Sequence, residues 1–247
     1  MKMPWYIRKQ PVSALVAGLG GLVTSANLAC GYGGWLAMAA PVAISADGVK
    51  MVAAIQSWEQ IWFLECGSAP LCVSADAGAT WTPANSPAEV WRAIAMSADG
   101  STLAAATDSY WGGTIGFIGG TIYRSLDSGV TWMVTSAPNA FWSSIASSAD
   151  GVKMVAVALA DASGNVGTGR IYCSTNSGAT WAQCSAPSTN WACVASSADG
   201  TRLFAATFGS GNNGGSVISP PWIPGLPGRR PARSASLAPR SPHRRMA

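Results

Sequence analysis

Short apolar segments alternate with small polar turns through the middle of the chain, and no helical pattern stands out. One stretch contains four such segments, at residues 142–147, 153–158, 170–173 and 180–183. Turn residues separate them, with Asp150 and Gly151 in one turn and Asn176 and Gly178 in another. The pattern predicts four short antiparallel β-strands in about 50 residues, the size of one propeller blade.

This unit is repeated along the chain. The Ser-Ala-Asp-Gly motif occurs at residues 45–48, 97–100, 148–151 and 197–200, at steps of 52, 51 and 49 residues. Between its copies lies a second motif, Ser-x-Asp/Asn-x-Gly-x-Thr-Trp, called here the Thr-Trp motif. Its residues are Ser74, Asp76, Gly78 and Trp81; Ser125, Asp127, Gly129 and Trp132; and Ser174, Asn176, Gly178 and Trp181. The step from each Thr-Trp motif to the next Ser-Ala-Asp-Gly motif is always 23 residues, whereas the other half of the repeat varies.

The repeat predicts an all-β chain of β-propeller blades. We expect blades near residues 39–83, 91–134 and 142–184, and a partial fourth blade at 191–215. Closed propellers have about four to eight blades, so about three and a half blades predict an incomplete ring. We expect a truncated or frameshifted member of a longer family.

The Thr-Trp motif resembles the Asp-box, or bacterial neuraminidase repeat, of sialidase-like and sortilin-like β-propellers. The resemblance implies the propeller fold and a structural role for the motif residues, without implying an activity. The Asp accepts backbone hydrogen bonds, the Gly supplies a positive φ and the Trp packs on neighbouring strands. Asn176 keeps the acceptor but loses the charge, so its turn should be weaker. The alternative is calcium binding by these carboxylates or by Asp47, Asp99, Asp150 and Asp199, but one carboxylate per turn is too few and we predict no metal.

The two ends differ from the repeats. Residues 1–29 carry three bases, no acid and an apolar stretch at 12–26, which predicts a signal peptide. The alternatives are an uncleaved anchor, or a lipid anchor on Cys30, and only these would bring the chain to a membrane. We expect a secreted, periplasmic or cell-surface protein with residues 30–215 as the propeller. Residues 216–247, rich in Pro and Arg, predict a disordered basic tail.

Charge argues against nucleic acid as a ligand. The net charge of +4 comes from the two ends, because the middle contains all 11 acids and only six of the 15 Lys and Arg residues. The region expected to fold is therefore acidic and has no basic stripe.

Connection lengths predict a binding face. Alternate connections of an up-and-down blade share a face, so both motif turns lie on one face and the variable loops on the other, the loop face. We expect a glycan or protein ligand there, because variable loops with aromatic and carboxylate side chains suit binding. The candidate residues are Trp58, Glu59, Trp62, Glu65, Asp108, Tyr110, Trp111, Asp161 and Asn165. The alternative is that these are ordinary insertions with aromatic rings folded inward.

Candidate catalytic chemistry is sparse, and we assign no catalytic residue and no cofactor. A sialidase needs clustered arginines, but the folded region has only Arg92, Arg124, Arg170 and Arg202, scattered through the repeats. The single histidine, His243, lies in the tail, which removes histidine-assisted nucleophiles. The sequence predicts an exported non-enzymatic repeat protein. The alternative is a glycosidase-like hydrolase, or its degenerate remnant, that pairs Glu59 or Glu65 with Asp108 or Asp161.

The cysteines predict disulfides in an oxidising compartment. Cys173 and Cys184 flank one Thr-Trp hairpin, and Cys66 and Cys72 bracket a short step. Cys193 occupies the position of Ala93 and Ser144 in other blades, which predicts a buried small residue.

Overall fold

A computed structural model describes residues 26–28, 40–54, 70–111, 117–162, 164–165, 167–207 and 217–218. Regular structure in these ranges is entirely β-strand, paired antiparallel throughout. Within the same ranges there is no helix of the length and apolarity needed to cross a membrane.

The strands form four consecutive sheets, called blades 1 to 4. Blade 1 contains β1 (Ala26–Leu28), β2 (Ala40–Ile44), β3 (Met51–Ala54), β4 (Leu71–Ser74) and β5 (Thr82–Pro83). Blade 2 contains β6 (Trp91–Met96), β7 (Leu103–Thr107), β10 (Ile122–Ser125) and β11 (Met133–Val134). Blade 3 contains β12 (Ala140–Ser147), β13 (Met154–Asp161), β14 (Ile171–Ser174) and β15 (Ala182–Gln183). Blade 4 contains β16 (Trp191–Ser196), β17 (Leu203–Thr207) and β18 (Val217–Ile218).

Two strands lie beyond the boundaries expected from the sequence. β18 pairs with β17 as a third strand of blade 4, so the blade extends into the segment assigned to the tail at 216–247. The placement of Val217 and Ile218 after a glycine-rich run hid this short strand. β1 pairs with β2 and lies inside the segment assigned to the signal peptide, 1–29. The rest of those two segments is outside the described residues.

The blades stack through their apolar faces. One strand from each blade lies beside its counterpart in the next blade, in the order β2, β6, β12 and β16. A buried cluster fills each gap, made of one side of a blade and the opposite side of the next. Small residues dominate, so that Ala104, Ala105 and Ala156 have no exposed surface and the sheets approach closely.

One tryptophan lies at or close to the start of the first strand in each of blades 2, 3 and 4. Trp91, Trp142 and Trp191 are at most 2% exposed and are among the largest side chains of the core. The Nε1–H of Trp142 donates to the carbonyl of Gly120 at 2.9 Å. Each ring displaces a large apolar area from water, which anchors a blade on its predecessor.

Candidate functional site

The Ser-Ala-Asp-Gly motif forms a closed turn in all four blades. Ser97 shows the pattern: its Oγ donates to Asp99 Oδ1 at 2.6 Å and accepts the N–H of Thr102 at 3.0 Å. The carboxylate also accepts the N–H of Ser101 at 3.0 Å. Equivalent bonds form at the turns that begin with Ser45, Ser148 and Ser197. The glycine of each turn has φ between 64° and 74°, a conformation that favours glycine.

The Thr-Trp motif forms a second repeated turn. In blade 1 the N–H of Gly78 donates to Ser74 Oγ at 2.9 Å, and Ser74 Oγ donates to Asp76 Oδ1 at 2.8 Å. The same carboxylate accepts both the N–H and the Oγ1–H of Thr80, at 2.9 and 2.6 Å. Trp81 closes the turn by donating its Nε1–H to the carbonyl of Gly78 at 3.1 Å. The copies in blades 2 and 3 repeat all these contacts, with one reversed donor at Asn176.

At Asn176 the same turn forms, but the side-chain amide donates to the threonine hydroxyl instead of accepting from it. Its Oδ1 accepts from Ser174 Oγ at 3.0 Å and from the N–H of Thr180 at 2.9 Å. Its Nδ2 donates to Thr180 Oγ1 at 2.8 Å, whereas in blade 1 the threonine hydroxyl donates to the carboxylate. Bonds to the neutral amide are expected to be weaker than those to a carboxylate. That this turn is the weakest of the three remains a prediction.

A residue that sequence reasoning missed links the two turns within each of blades 1 to 3. Ala77, Ser128 and Ser177 adopt φ of 57°, 60° and 53°, although none is a glycine. Their N–H groups donate at 2.9 Å to the carbonyls of Val49, Ser101 and Val152, next to the Ser-Ala-Asp-Gly turn. Both motif turns therefore lie on one face, called here the turn face. The only sequence signal is position, because Ala and Ser carry no preference for a positive φ.

The carboxylates of the turn face are fixed in their ionised form. Hydrogen bonds from Thr80 and Ser74 lower the pKa of Asp76 to about 2, and those from Ser97 and Ser101 do the same for Asp99. The pKa of Asp199 also lies well below its ordinary value because of bonds from Ser197 and Thr201. At Asp127 desolvation works in the opposite direction, but bonds from Thr131 and Ser125 leave its pKa lowered. Such groups hold turns together and do not supply a proton near neutral pH.

The opposite face is built from connections that differ between blades. In blade 2 the N–H of Asp108 donates to the carbonyl of Val90 at 2.6 Å, which ties the loop to the link between blades 1 and 2. At its far end Gly120 exchanges two backbone hydrogen bonds with Ala140, at 2.9 and 3.2 Å. Between these points β8 (Tyr110–Trp111) pairs with β9 (Phe117–Ile118) as a separate two-stranded sheet. This hairpin has no counterpart in the described part of blade 3.

In blade 3 the corresponding loop is closed by side chains. Thr168 Oγ1 accepts the N–H of Asp161 at 3.0 Å and donates to the carbonyl of Asn165 at 2.6 Å. The N–H of Gly167 donates to Oδ1 of Asn190 at 2.6 Å, so the link before blade 4 also holds this loop. Asn190 and Thr168 were missed in the sequence because neither belongs to a repeated motif.

The predicted binding residues divide into two groups. Asp108, Tyr110, Trp111, Asp161 and Asn165 are on the two described loops of the loop face, with Asp161 and Asn165 exposed. Trp58, Glu59, Trp62 and Glu65 lie outside the described residues, as does Cys66. Among the residues that are described, no three His, Cys, Asp or Glu side chains are grouped so that they could hold a metal ion.

The described cysteines differ in disulfide bonding and in burial. Cys173 and Cys184 form a disulfide across the Thr-Trp hairpin of blade 3. Cys72 is a free, buried thiol, and burial raises its pKa. The expectation that Cys193 is buried was wrong, since it is exposed. The sequence compared it with Ala93, which is buried, and with Ser144, which is half-buried and accepts the N–H of Val194 in blade 4. Blade 4 itself has no described blade beyond it.

Comparison with known proteins agrees with this architecture. No family model and no curated protein matches the sequence. An ancestral GH74 enzyme is 15% identical with a TM-score of 0.51, over 74% of this chain and 25% of that one. TolB from Acinetobacter baumannii is 16% identical with a TM-score of 0.49, over 73% of this chain and 41% of its own. YCF48 bound to D1 peptide is 15% identical with a TM-score of 0.45, over 83% of this chain and 60% of its own.

These similarities concern the fold alone. The solved structures are β-propellers, and the present chain spans only 25% to 60% of their lengths. The strand pairing, the repeated turns and the match to the GH74 structure give one conclusion: this chain has the β-propeller fold, with four antiparallel blades in its described residues.

Proposed function

We propose that this chain is an exported, non-enzymatic propeller protein that binds a protein or glycan ligand through its loop face. The observation that carries the proposal is the contrast between the two faces. The turn face repeats the same hydrogen bonds from blade to blade, whereas the described loops of blades 2 and 3 share neither structure nor chemistry. A surface that varies on a constant scaffold suits specific recognition.

The turn face has few polar groups to offer a ligand. The side-chain oxygens of Ser74, Asp76 and Thr80 are engaged with one another and with the local backbone. The same internal bonding recurs at Asp127 and at Asp99. A ligand on this face would compete with bonds that hold the hairpins.

The loop face has suitable chemistry. The β8–β9 hairpin carries Tyr110, Trp111 and Phe117 within two short strands, directly after Asp108. Aromatic residues supply large contact areas at low cost in conformational entropy, and nearby carboxylates orient hydroxyl or amide donors of a ligand. Exposed Asp161 and Asn165 add polar groups from the next blade. This combination fits either sugar rings or an extended peptide.

The carboxylates of the turns are unsuited to act as the acid of a glycosidase. A two-carboxylate glycosidase needs one acid whose pKa is raised so that it holds a proton. Wherever a shift is seen for an Asp in the described part of the chain, the pKa moves downward. The likeness to a GH74 enzyme, at 15% identity, concerns the fold and not this chemistry.

The repeated turns and the disulfide support two further parts of the proposal. The turns join Ser, Asp, Gly and Trp by the bonds expected of an Asp-box, which favours membership of that repeat family. The Cys173–Cys184 disulfide favours an oxidising compartment and therefore export. The basic, apolar order of residues 1–29 supports the same route.

The experiment screens the full-length chain against a glycan array, a displayed peptide library and a panel of chromogenic glycosides. We expect a ligand from the glycan array or from the peptide library, and no turnover of any chromogenic glycoside. Trp111→Ala should weaken binding by about tenfold or more, as for an aromatic anchor. Val130→Ser is the matched control, because Val130 is 63% exposed beside Asp127 on the turn face.

Three outcomes would contradict the proposal. Equal loss of affinity in both variants would place the ligand elsewhere than on the loop face. Turnover abolished by Glu59→Gln or Glu65→Gln would make the chain a hydrolase. Absence of any ligand in both binding screens would remove the basis for a recognition role.

A further inference from the structure

The last blade exposes a position that every earlier blade buries. On β3, β7 and β13 of blades 1, 2 and 3 this position holds Val52, Ala104 and Val155, each at most 1% exposed because the following blade covers it. The equivalent residue of blade 4 is Phe204, a larger apolar side chain, which is 48% exposed. A phenylalanine left in water at this point is a candidate contact residue.

Two positions on β16, near Phe204, are also exposed in blade 4. Ala95 and Ala146 are 1% and 6% exposed, whereas the equivalent Ala195 is exposed. Cys193 is exposed on the same side of β16. Phe204, Ala195 and Cys193 together form the open face of blade 4, an inter-blade surface that lacks a described neighbour.

Blade 1 is open on the opposite side. Ala105, Ala156 and Ala205 are at most 1% exposed against the preceding blade, but the equivalent Ala53 is only half-buried. The turn glycines show the same difference. A Cβ built on Gly151 would lie 2.7 Å from Cβ of Thr102 in blade 2, and Gly100 and Gly200 are equally crowded by preceding blades. At Gly48, among the described residues, such an atom would meet only Ile44 of β2, at 4.0 Å.

The two open ends carry matching hydrogen-bonding groups. Successive turns are joined by one backbone bond each: Ala46 N–H to the Ala98 carbonyl, Ala98 N–H to Ala149, and Ala149 N–H to Ala198, at 2.7, 2.8 and 2.7 Å. Within the described residues the series ends with the Ala46 carbonyl at one end and the Ala198 N–H at the other. Both residues are exposed. The acceptor of the first blade therefore complements the donor of the last.

A basic side chain adds a second match. Lys50 Nζ and Lys153 Nζ each donate at 2.9 Å to a carbonyl in the next blade, that of Asp99 and of Asp199. Blade 2 has Thr102 in this position, and blade 4 has Arg202, which is exposed. A blade placed after blade 4 with the same geometry would present its own aspartate carbonyl to Arg202, and in blade 1 that aspartate is Asp47.

We propose that the open face of blade 4 binds blade 1 of a second copy of this chain. The interface would reproduce the existing inter-blade contacts, with Phe204 against the side of blade 1 that contains Ala53. The Ala198 N–H would donate to the partner's Ala46 carbonyl, and Arg202 to the partner's Asp47 carbonyl. Two such interfaces related by a twofold axis close a ring. Four blades from each copy give eight, within the range of about four to eight blades found in closed propellers.

The test is the mass of the full-length chain in solution by light scattering and sedimentation. The proposal predicts twice the chain mass, with monomers for Phe204→Glu and for Ala53→Glu. These variants change opposite ends of the blade series, so sensitivity to both distinguishes head-to-tail contact from a symmetric contact of blade 4 with itself. Each should raise the dissociation constant by about tenfold or more, since a charge would be buried without a partner. Val130→Glu, a 63% exposed site away from both ends, should remain dimeric.

A second measurement does not depend on variants that fold. Cys193 is exposed in the single chain, so the proposal predicts that its alkylation slows as the concentration of the wild-type protein rises, followed by peptide mass mapping. A monomeric wild type, a dimer that survives both variants, an open polymer without a defined mass, or Cys193 alkylation independent of concentration would each overturn the proposal.

Discussion

At the scale of single residues, small polar side chains shape this molecule through the backbone. Ser74 and Ser97 each act as both donor and acceptor, so one hydroxyl joins a carboxylate to the N–H groups of a turn. The pairing of Ser and Asp two positions apart made these turns predictable from the sequence. The positive φ of Ala77, Ser128 and Ser177 was not predictable, because it is imposed by the bond to the neighbouring turn and not by the residue itself.

Acid should destabilise the turns, and Asp76 tests this. Its pKa falls from an ordinary value of 3.8 to about 2 in the folded chain, so its contribution to stability is present above pH 3.8 and is lost as pH falls towards 2. Asp76→Asn should leave the fold intact, as Asn176 shows that the turn accommodates an amide. The melting temperature of the variant should therefore depend less on pH below about pH 4 than that of the wild type.

The reciprocal change is the control. Asn176→Asp adds a carboxylate to the same type of turn and should make the melting temperature more sensitive to acid. Melting curves recorded by circular dichroism between neutral and acidic pH would show both effects. Identical pH profiles for the three proteins would mean that these carboxylates do not stabilise the fold through their ionised form.

At the scale of elements, close packing of neighbouring blades depends on residues without side chains. Gly151 has φ of 72° and lies against Thr102 of the preceding blade, whereas Gly167 has φ of 89° with nothing within 4 Å of an added Cβ. Alanine at either position incurs the left-handed backbone penalty of about 1 to 2 kcal/mol. Gly151→Ala should lose about 1 to 3 kcal/mol more of unfolding free energy, because Cβ of Thr102 has little room to move.

Chemical denaturation of both variants measures this difference. Equal losses for Gly151→Ala and Gly167→Ala would show that the blades do not pack as closely as the structure places them. Both glycines have positive φ, so both alanine variants carry the same kind of backbone strain. The difference between their losses therefore measures the inter-blade contact at Gly151.

Strand order within a blade followed from the sequence, and its exceptions have physical causes. The segments at 142–147, 153–158, 170–173 and 180–183 correspond to β12 to β15, because alternation and turn residues act locally. Burial of Trp91, Trp142 and Trp191 between blades depends on contacts far apart in sequence, so the repeat located these residues without giving their role. The exposure of Cys193 was missed for the same reason: position within a repeat predicts burial only where a neighbouring blade is present.

At the scale of the whole molecule, the two faces differ in construction. Alternation of the connections in an up-and-down blade predicted that both motif turns share one face, and the variable lengths of the other connections predicted the loop face. The hydrogen bonds support both placements. Ala77 joins two motif turns on one face, and Asp108 joins a loop to a blade-to-blade link on the other. The identity of the ligand does not follow from the repeat, because recognition depends on loop residues that no repeated pattern constrains.

Hydrogen–deuterium exchange of the full-length chain, with and without the ligand selected in the binding screens, tests this division most directly. We expect slower exchange on binding in residues 107–111, 117–120, 160–162 and 167–169, which belong to the described parts of the loop face. Exchange in the turns at 45–50, 74–81 and 125–132 should stay unchanged, because their N–H groups are already bonded internally. Protection confined to the turns, with the loops unaffected, would contradict the assignment of the loop face as the binding surface.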